Sequence, residues 1–123
     1  MRIRPIISFF AFCLLIALSG CGPDSIFLRS GLDTPSHHVD SGNQLMNYGK
    51  YDSAKREFSR AIELDPNYSP AYVGLGLVMG YLGDPDQGLV VMQQALDLAR
   101  DEDQKKNADA GLQVLEGMAE SKE

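Results

Sequence analysis

The sequence predicts an all-α protein in which two helical hairpins stack side by side and a further helix closes the array. Three observations predict it: the chain overlays itself at a shift of 34 residues, the shared positions hold small or apolar residues, and turn residues separate the segments. A period of this length indicates a repeated, stacked supersecondary unit, which presents a surface to a partner and seldom carries a reaction centre. The matched pairs are Gly42 with Gly76, Gly49 with Gly83, Ala54 with Gly88, Phe58 with Met92, Ala61 with Ala95, Ile62 with Leu96, and Leu64 with Leu98.

Residues 1–20 predict a targeting segment. Arg2 and Arg4 precede an apolar run from Ile6 to Leu18 that only Ser8 interrupts. The run is shorter than the roughly 20 apolar residues that a membrane-spanning helix needs, and its length is typical of a signal-peptide core. It ends in the sequence Leu18-Ser19-Gly20-Cys21.

These four residues resemble the lipobox of bacterial lipoproteins. The resemblance implies cleavage between Gly20 and Cys21, a diacylglycerol on the Cys21 sulfur and an acyl group on its new amino terminus. Several acyl chains would hold the protein firmly, because burial contributes about 0.8 kcal/mol per CH₂. Gly22 stands where an aspartate is the family's inner-membrane retention signal, which implies the outer membrane, facing the periplasm. An uncleaved anchor and a soluble secreted protein are the alternatives.

Composition excludes several classes of site. Loss of the signal arginines would bring the net charge from −6 to about −8, which repels phosphate backbones and argues against a nucleic-acid partner. Cys13 would leave with the signal peptide, and Cys21 would be acylated. No thiol would then remain for a disulfide, a metal site or a nucleophile.

Residues 21–35 predict a lipidated N-terminus followed by a flexible linker. Gly22-Pro23, Ser30-Gly31 and Thr34-Pro35 are poor elements of a helix or a strand. The one apolar patch, Ile26-Phe27-Leu28, is expected to pack against the first helix or to lie near the lipid. A partner-binding motif is the alternative for this patch.

The first unit reads as two helices joined by a tight turn. A helix is predicted from about Ser36 to Tyr48, then a turn at Gly49-Lys50, then a helix from about Tyr51 to Leu64. The second helix carries an apolar stripe at three- and four-residue spacing. Asp65-Pro66-Asn67 ends it.

The second unit follows the same plan. Ser69 is the predicted cap of the third helix, with Pro70 at its first position and an end near Leu82. Gly83 supplies a left-handed turn, and Asp84-Pro85-Asp86-Gln87 has the form of a capped start for a helix that continues to about Ala99.

A fifth helix is predicted from about Asp103 to Glu120. Its apolar residues, among them Ala108, Leu112 and Leu115, fall on one side, and the other side is polar. A helical array needs an end with a polar outer face, so residues 101–123 are interpreted as a capping helix and tail.

The repeat pattern resembles the tetratricopeptide repeat. The resemblance covers about Pro35 to Arg100 and implies a right-handed superhelix of two helix pairs, at about 36–67 and 68–100. His38, Gly88 and Arg100 depart from the family pattern. The positions that carry the resemblance or are expected to pack the repeats are Gly42, Gly49, Tyr51, Ala54, Phe58, Ala61, Pro66, Tyr72, Leu75, Gly76, Gly83, Gly88, Met92 and Ala95.

The resemblance also implies a binding groove, because the first helix of each pair lines the concave surface in this family. An extended or helical peptide would suit such a surface; the alternative is that some of its side chains pack under the linker or the cap. The family's carboxylate-binding variant is disfavoured, because Val39 and Gly74 stand at the positions of its lysine and second asparagine. The expected groove residues are Val39, Asn43, Met46, Asn47, Val73, Leu77, Gly80 and Tyr81.

Other candidate sites are weaker. Gly74-Leu75-Gly76 has no preceding strand, so a structural role is favoured over a nucleotide loop. The apolar stretch Ala71–Leu82 is too short for a membrane helix pair. His37 and His38 point about 100° apart on a helix, and the sequence shows no acidic or cysteine partner at a useful spacing. No metal, cofactor or catalytic group is therefore expected.

These observations predict a membrane-anchored periplasmic adaptor that binds another cell-envelope protein. Its architecture resembles that of small lipoproteins that help to assemble pili or secretion systems. A docking regulator of a peptidoglycan-processing enzyme is the alternative, and an enzyme or metal-binding accessory is the third. Because about three repeats are usual for a stable array, self-association is also expected as a possible source of the missing interface.

Overall fold

The computed structural model describes residues 33–121, which form α-helices and no strand. The structure confirms the predicted fold class, an α-solenoid built from helical hairpins. The predicted signal peptide, the lipidation site at Cys21 and the linker up to residue 32 lie outside the described residues. The helices are α1 (Pro35–Asn47), α2 (Tyr51–Leu64), α3 (Ser69–Tyr81), α4 (Pro85–Leu98) and α5 (Glu102–Glu120).

The helices form two rows. Each helix packs on the next along the chain, and α3 also contacts both α1 and α5. Short connections of three or four residues make consecutive helices neighbours in space. The first helix of each unit, α1 and α3, therefore lies in one row with α5, and α2 and α4 form the other. None of the described helices combines the length and the apolar character that crossing a membrane requires.

Glycines and side-chain caps set most helix boundaries. Gly49 and Gly83 adopt φ angles of 70° and 95°, so both hairpin turns use the left-handed conformation that the sequence predicts for Gly83. The Asp84 carboxylate accepts a hydrogen bond from the Gln87 N–H at 3.2 Å and caps α4 as expected. Asp101 caps α5 in the same way, through the Gln104 N–H at 2.8 Å.

The predicted cap at Ser69 is wrong. Ser69 is the first residue of α3, Tyr68 holds the cap position, and no side chain caps this helix. The Ser69 hydroxyl is buried and donates to the carbonyl of Ala95 at 2.8 Å. It therefore joins the start of α3 to the last turn of α4, where helix carbonyls need outside donors.

The core consists of two clusters that repeat the same arrangement. Phe58 is fully buried between α1 and α3, where a Cβ at Gly42 would lie 2.6 Å from its Cε1 atom and a Cβ at Gly74 would also overlap the ring. Met92 is fully buried between α3 and α5, where a Cβ at Gly111 would lie 2.5 Å from its methyl carbon. The bulky residue of each second helix thus fills the space that glycines leave in two successive first helices.

Most predicted packing positions lie in these clusters. Ala54, Ala61 and Ala95 are fully buried. The Gly88 backbone lies so close to Gly76 that a Cβ on Gly88 would come 2.7 Å from the Gly76 carbonyl oxygen. Pro66 differs, since its ring is exposed and its carbonyl accepts a hydrogen bond from the Tyr72 hydroxyl at 2.7 Å.

Helix α5 continues the row of first helices. It packs against both α3 and α4, with Ala108, Gly111 and Leu115 buried. Its outer residues are mainly polar, as expected for a cap, but its position is that of the first helix of a third unit. This placement makes α5 a wall of the concave surface.

Candidate functional site

The concave side of α1, α3 and α5 forms a groove with a volume of about 370 Å³. Helix α3 forms its centre, and α1 and α5 form its two sides. Below, "the groove" means the surface lined by Val39, Asn43, Ser69, Pro70, Val73, Gly74, Leu77, Gln104, Asn107, Ala110, Gly111 and Val114.

The groove residues on successive helices follow the 34-residue period. Val39, Val73 and Asn107 form one such series, and Asn43, Leu77 and Gly111 form another. The α5 side was missed in the sequence because few small or apolar identities mark a repeat after Arg100. Extending the period by one more unit would have found it, since Pro70 and Val73 map onto Gln104 and Asn107.

Glycine backbone forms part of the groove floor. The inner side of Gly74 meets the Phe58 ring, and that of Gly111 meets Met92. The missing side chains at these two positions make room for Phe58 and Met92 beneath the groove. Val114, on the α5 side of the groove, is 44% exposed.

The polar side chains of the groove are uncharged: three amides and the hydroxyl group of Ser69. Asn43 lies on α1, and Gln104 and Asn107 lie on α5. The Gln104 side-chain oxygen accepts from the Arg100 N–H at 3.1 Å, whereas Asn43 and Asn107 make no side-chain hydrogen bond to any other described residue. No side chain that lines the groove is ionisable. The surface can therefore bury apolar groups and exchange neutral hydrogen bonds.

Some predicted groove residues lie outside it. Met46 is half-buried against the cluster around Phe58, and Asn47 is exposed at the last position of α1. Tyr81 stacks on Tyr51, with ring centroids 4.9 Å apart and an interplanar angle of 4°. Gly80 faces Leu115, inside the interface between α3 and α5. A role for these four residues in binding stays a prediction.

A second polar cluster surrounds His38 at the beginning of the array. Its Nε2 atom lies 2.9 Å from a carboxylate oxygen of Asp33, and its Nδ1 atom lies 2.7 Å from one of Glu57. Arg60 makes two hydrogen bonds to Asp33, at 2.7 and 3.2 Å. The sequence spacing did not reveal these carboxylates, because only the packing of α1 on α2 brings Glu57 beside His38. Within residues 33–121, no group of His, Cys, Asp and Glu side chains could hold a metal ion.

These contacts perturb the titration of the cluster. Hydrogen bonds from Arg60, then from His38, lower the pKa of Asp33 from 3.8 to about 2. Burial acts to lower the pKa of His38, but hydrogen bonds to Glu57 and Asp33 outweigh burial and raise it above its ordinary value of 6.5. The bond to Asp33, with a second to Glu63, raises the pKa of Arg60. The cluster thus favours the fully charged state of these three groups.

Comparison with known protein families agrees with this architecture. The family model described as the tetratricopeptide repeat matches residues 42–68, which cover the C-terminal part of α1, all of α2 and the connection to α3. The match supports a tetratricopeptide-repeat protein with a general role in protein–protein interaction, and proteins with this repeat are typically non-catalytic adaptors. No curated protein matches the chain.

Proposed function

We propose that this protein is a membrane-anchored adaptor whose groove holds an uncharged, extended segment of another cell-envelope protein. One observation carries the proposal: three first helices converge on a concave surface made of apolar side chains and neutral amides, with no ionisable group in its lining. Apolar walls with a few placed polar groups are what a ligand-binding surface requires.

Two amides on opposite sides of the groove favour an extended segment over a helical one. Asn43 and Asn107 lie on opposite sides of the groove and have no side-chain hydrogen bond to other described residues. An extended segment brings backbone N–H and C=O groups that still need partners, whereas a helix satisfies most of its own. Alternate side chains of the segment would then contact Val73 and Leu77 on α3.

The groove favours an internal segment over a chain terminus. A free carboxylate or amine would leave water and meet no opposite charge there, because the polar lining residues are Asn43, Ser69, Gln104 and Asn107. Such burial is unfavourable for an unpaired charge. The proposed ligand is therefore neutral where it enters the groove.

The size of the groove indicates weak binding that a tether would assist. Its volume of about 370 Å³ lies near the lower end of ligand sites, which range over about 300–1,000 Å³. It can hold a few side chains but no folded domain. Anchoring the adaptor and its partner to one envelope raises their effective concentration, so a weak contact suffices.

Site-specific photo-crosslinking tests the groove. In the test variant, a crosslinking residue replaces Val114, which lines the groove and is 44% exposed. In the control variant, it replaces Val90 on α4, which is 63% exposed and lies outside the groove. The proposal predicts an adduct from position 114 that maps to a neutral, apolar segment of one envelope protein, and none with that protein from position 90. An adduct of the same protein from position 90 alone would contradict it.

The anchor is proposed from the lipobox resemblance at Cys21. Replacement of Cys21 by alanine is expected to abolish labelling by radioactive palmitate and to leave an unprocessed precursor. Ser25→Ala is the matched control and should be labelled and processed normally. Labelling of the Cys21→Ala protein would contradict the proposal. Fractionation of the wild-type envelope then tests the proposed outer-membrane location.

The identity of the crosslinked partner tests the cellular process. We favour assembly of a pilus or a secretion apparatus, by analogy of architecture alone. A pilus or secretion subunit in the adduct from position 114 would support this assignment. If the adduct contains a peptidoglycan-processing enzyme instead, the protein is assigned the role of a docking regulator of that enzyme.

A further inference from the structure

The ion-pair network at the start of the array joins three parts of the chain. It consists of Asp33, which precedes α1, His38 on α1, and Glu57 and Arg60 on α2. We call these four residues the His38 network. Through it, both the residue that leads into α1 and the helix itself are attached to α2.

The geometry of the network requires a proton. Each nitrogen of His38 contacts a carboxylate oxygen, at 2.9 Å from Asp33 and 2.7 Å from Glu57. An ionised carboxylate only accepts hydrogen bonds, so both ring nitrogens must donate. A neutral imidazole has a single N–H and can donate to one of the two carboxylates.

We propose that the proton on His38 is a switch that fixes the entry of the chain onto the first hairpin, and that its loss releases Asp33 from α1. The contact with Glu57 is the shorter one, and Glu57 is the more shielded partner, at 33% exposure against 41% for Asp33. The neutral ring keeps its N–H on Glu57 and turns a lone pair towards Asp33. Repulsion between that lone pair and the carboxylate separates them, and Arg60 alone then retains Asp33.

The release acts on the first turn of α1. Thr34 follows Asp33 directly, and its hydroxyl oxygen caps α1 by accepting from the His37 N–H at 3.3 Å. Loss of the contact between Asp33 and His38 therefore weakens the restraint on this cap. The other groups near the network are Glu63, which pairs with Arg60 at 3.0 Å, and the His37 ring, whose centroid is 5.9 Å from that of His38.

The direction of the pH effect follows from the raised pKa of His38. A group whose pKa is higher in the folded state stabilises the fold below its ordinary pKa and ceases to do so as the pH rises through the raised value. On the alkaline side, the network therefore opens as the pH rises through the raised pKa of His38, which lies above 6.5.

Nuclear magnetic resonance over a pH titration tests the switch on the full chain in detergent micelles. The ring signal of His38 is expected to titrate above pH 6.5, and the backbone amides of Asp33 and Thr34 to shift with the same midpoint. His37→Gln is the matched control, since it removes the neighbouring ring and should keep this coupled transition.

Two variants separate the switch from a purely structural contact. His38→Gln should remove the transition from the Asp33 amide, and Glu57→Gln should lower the midpoint of His38 because it takes away one ionised acceptor. The second variant keeps the histidine, so it remains informative if the first fails to fold. A His38 midpoint at or below 6.5, or an Asp33 amide that does not follow it, would overturn the proposal.

Discussion

The close contact between Gly74 and Phe58 predicts that Gly74→Ala will destabilise the protein. The same substitution at Gly117, which has no such contact, should stabilise it. Both Gly74 in α3 and Gly117 in α5 lie within helices. Gly→Ala in a helix interior gains about 0.5–1 kcal/mol, because glycine loses more backbone entropy on folding. A Cβ at Gly117 would meet no atom within 4 Å beyond its chain neighbours and the backbone of its own helix, so the full gain is expected there.

At Gly74 the gain is outweighed. A Cβ there would overlap the Phe58 ring, which is fully buried and is confined on its other side by Gly42. Overpacking of this kind costs about 1–3 kcal/mol. The net expectation for Gly74→Ala is a loss of up to about 2.5 kcal/mol in the free energy of unfolding. Each kcal/mol corresponds to a shift of about 4–8 °C in Tm.

Urea unfolding followed by circular dichroism measures both substitutions. Phe58→Leu in the Gly74→Ala background provides a further test, because a smaller side chain relieves the overlap. The double variant should lose less stability than the sum of the single variants, since residues in contact couple. Equal stabilisation by Gly74→Ala and Gly117→Ala, or strict additivity with Phe58→Leu, would refute the packing described for the two first helices and Phe58.

Two further predictions concern the polar ends of the array. Asp101→Ala removes the cap of α5 and should lower the free energy of unfolding by about 1 kcal/mol, whereas Asp109→Ala, on the exposed middle of the same helix, should not; equal effects in urea unfolding would contradict the capping role. The lowered pKa of Asp33 stabilises the fold above pH 3.8, and this contribution disappears as the pH falls towards 2. Tm measured over this range should therefore fall less in Asp33→Asn than in the wild type, and parallel curves would count against the ion pair with Arg60.

The repeat period predicted the helices well because residues 34 positions apart occupy equivalent places in the packing of the two units. Phe58 and Met92 occupy equivalent places between glycines of successive first helices, and Gly49 and Gly83 form equivalent turns. Hydrophobic spacing and left-handed turn residues are local properties, so they can be read along the chain. Ser69 was misread for the same reason, because a serine before a proline looks like a cap, while its actual partner lies in α4.

The site was only partly predictable. Val39, Asn43, Val73 and Leu77 were expected to line a groove and do line one, but the α5 side was not expected. The third unit keeps the geometry of a first helix while its residue types change, as where Asn107 replaces Val73 at the equivalent position. A repeat that is recognised by shared residue types is not detected in such a unit. The helix α5 nevertheless packs at the position that the 34-residue period gives it.

The His38 network shows a different limit. Asp33 is near His38 in sequence, but Glu57 becomes its neighbour only when α1 and α2 pack together. Helical spacing describes one helix at a time, so it cannot pair side chains across a hairpin. The departure of His38 from the family pattern was the available signal, and its acidic partners required the tertiary structure.

The most direct test of the central claim is the affinity of the full chain for the segment identified by crosslinking, compared between Val114→Lys and Val90→Lys. Both variants place the same charge on an exposed valine, within the groove for Val114 and outside it for Val90. Isothermal titration calorimetry in detergent should show at least a tenfold loss for Val114→Lys and wild-type affinity for Val90→Lys, a difference of about 1.4 kcal/mol or more. Equal affinities for the two variants would contradict binding in the groove formed by α1, α3 and α5.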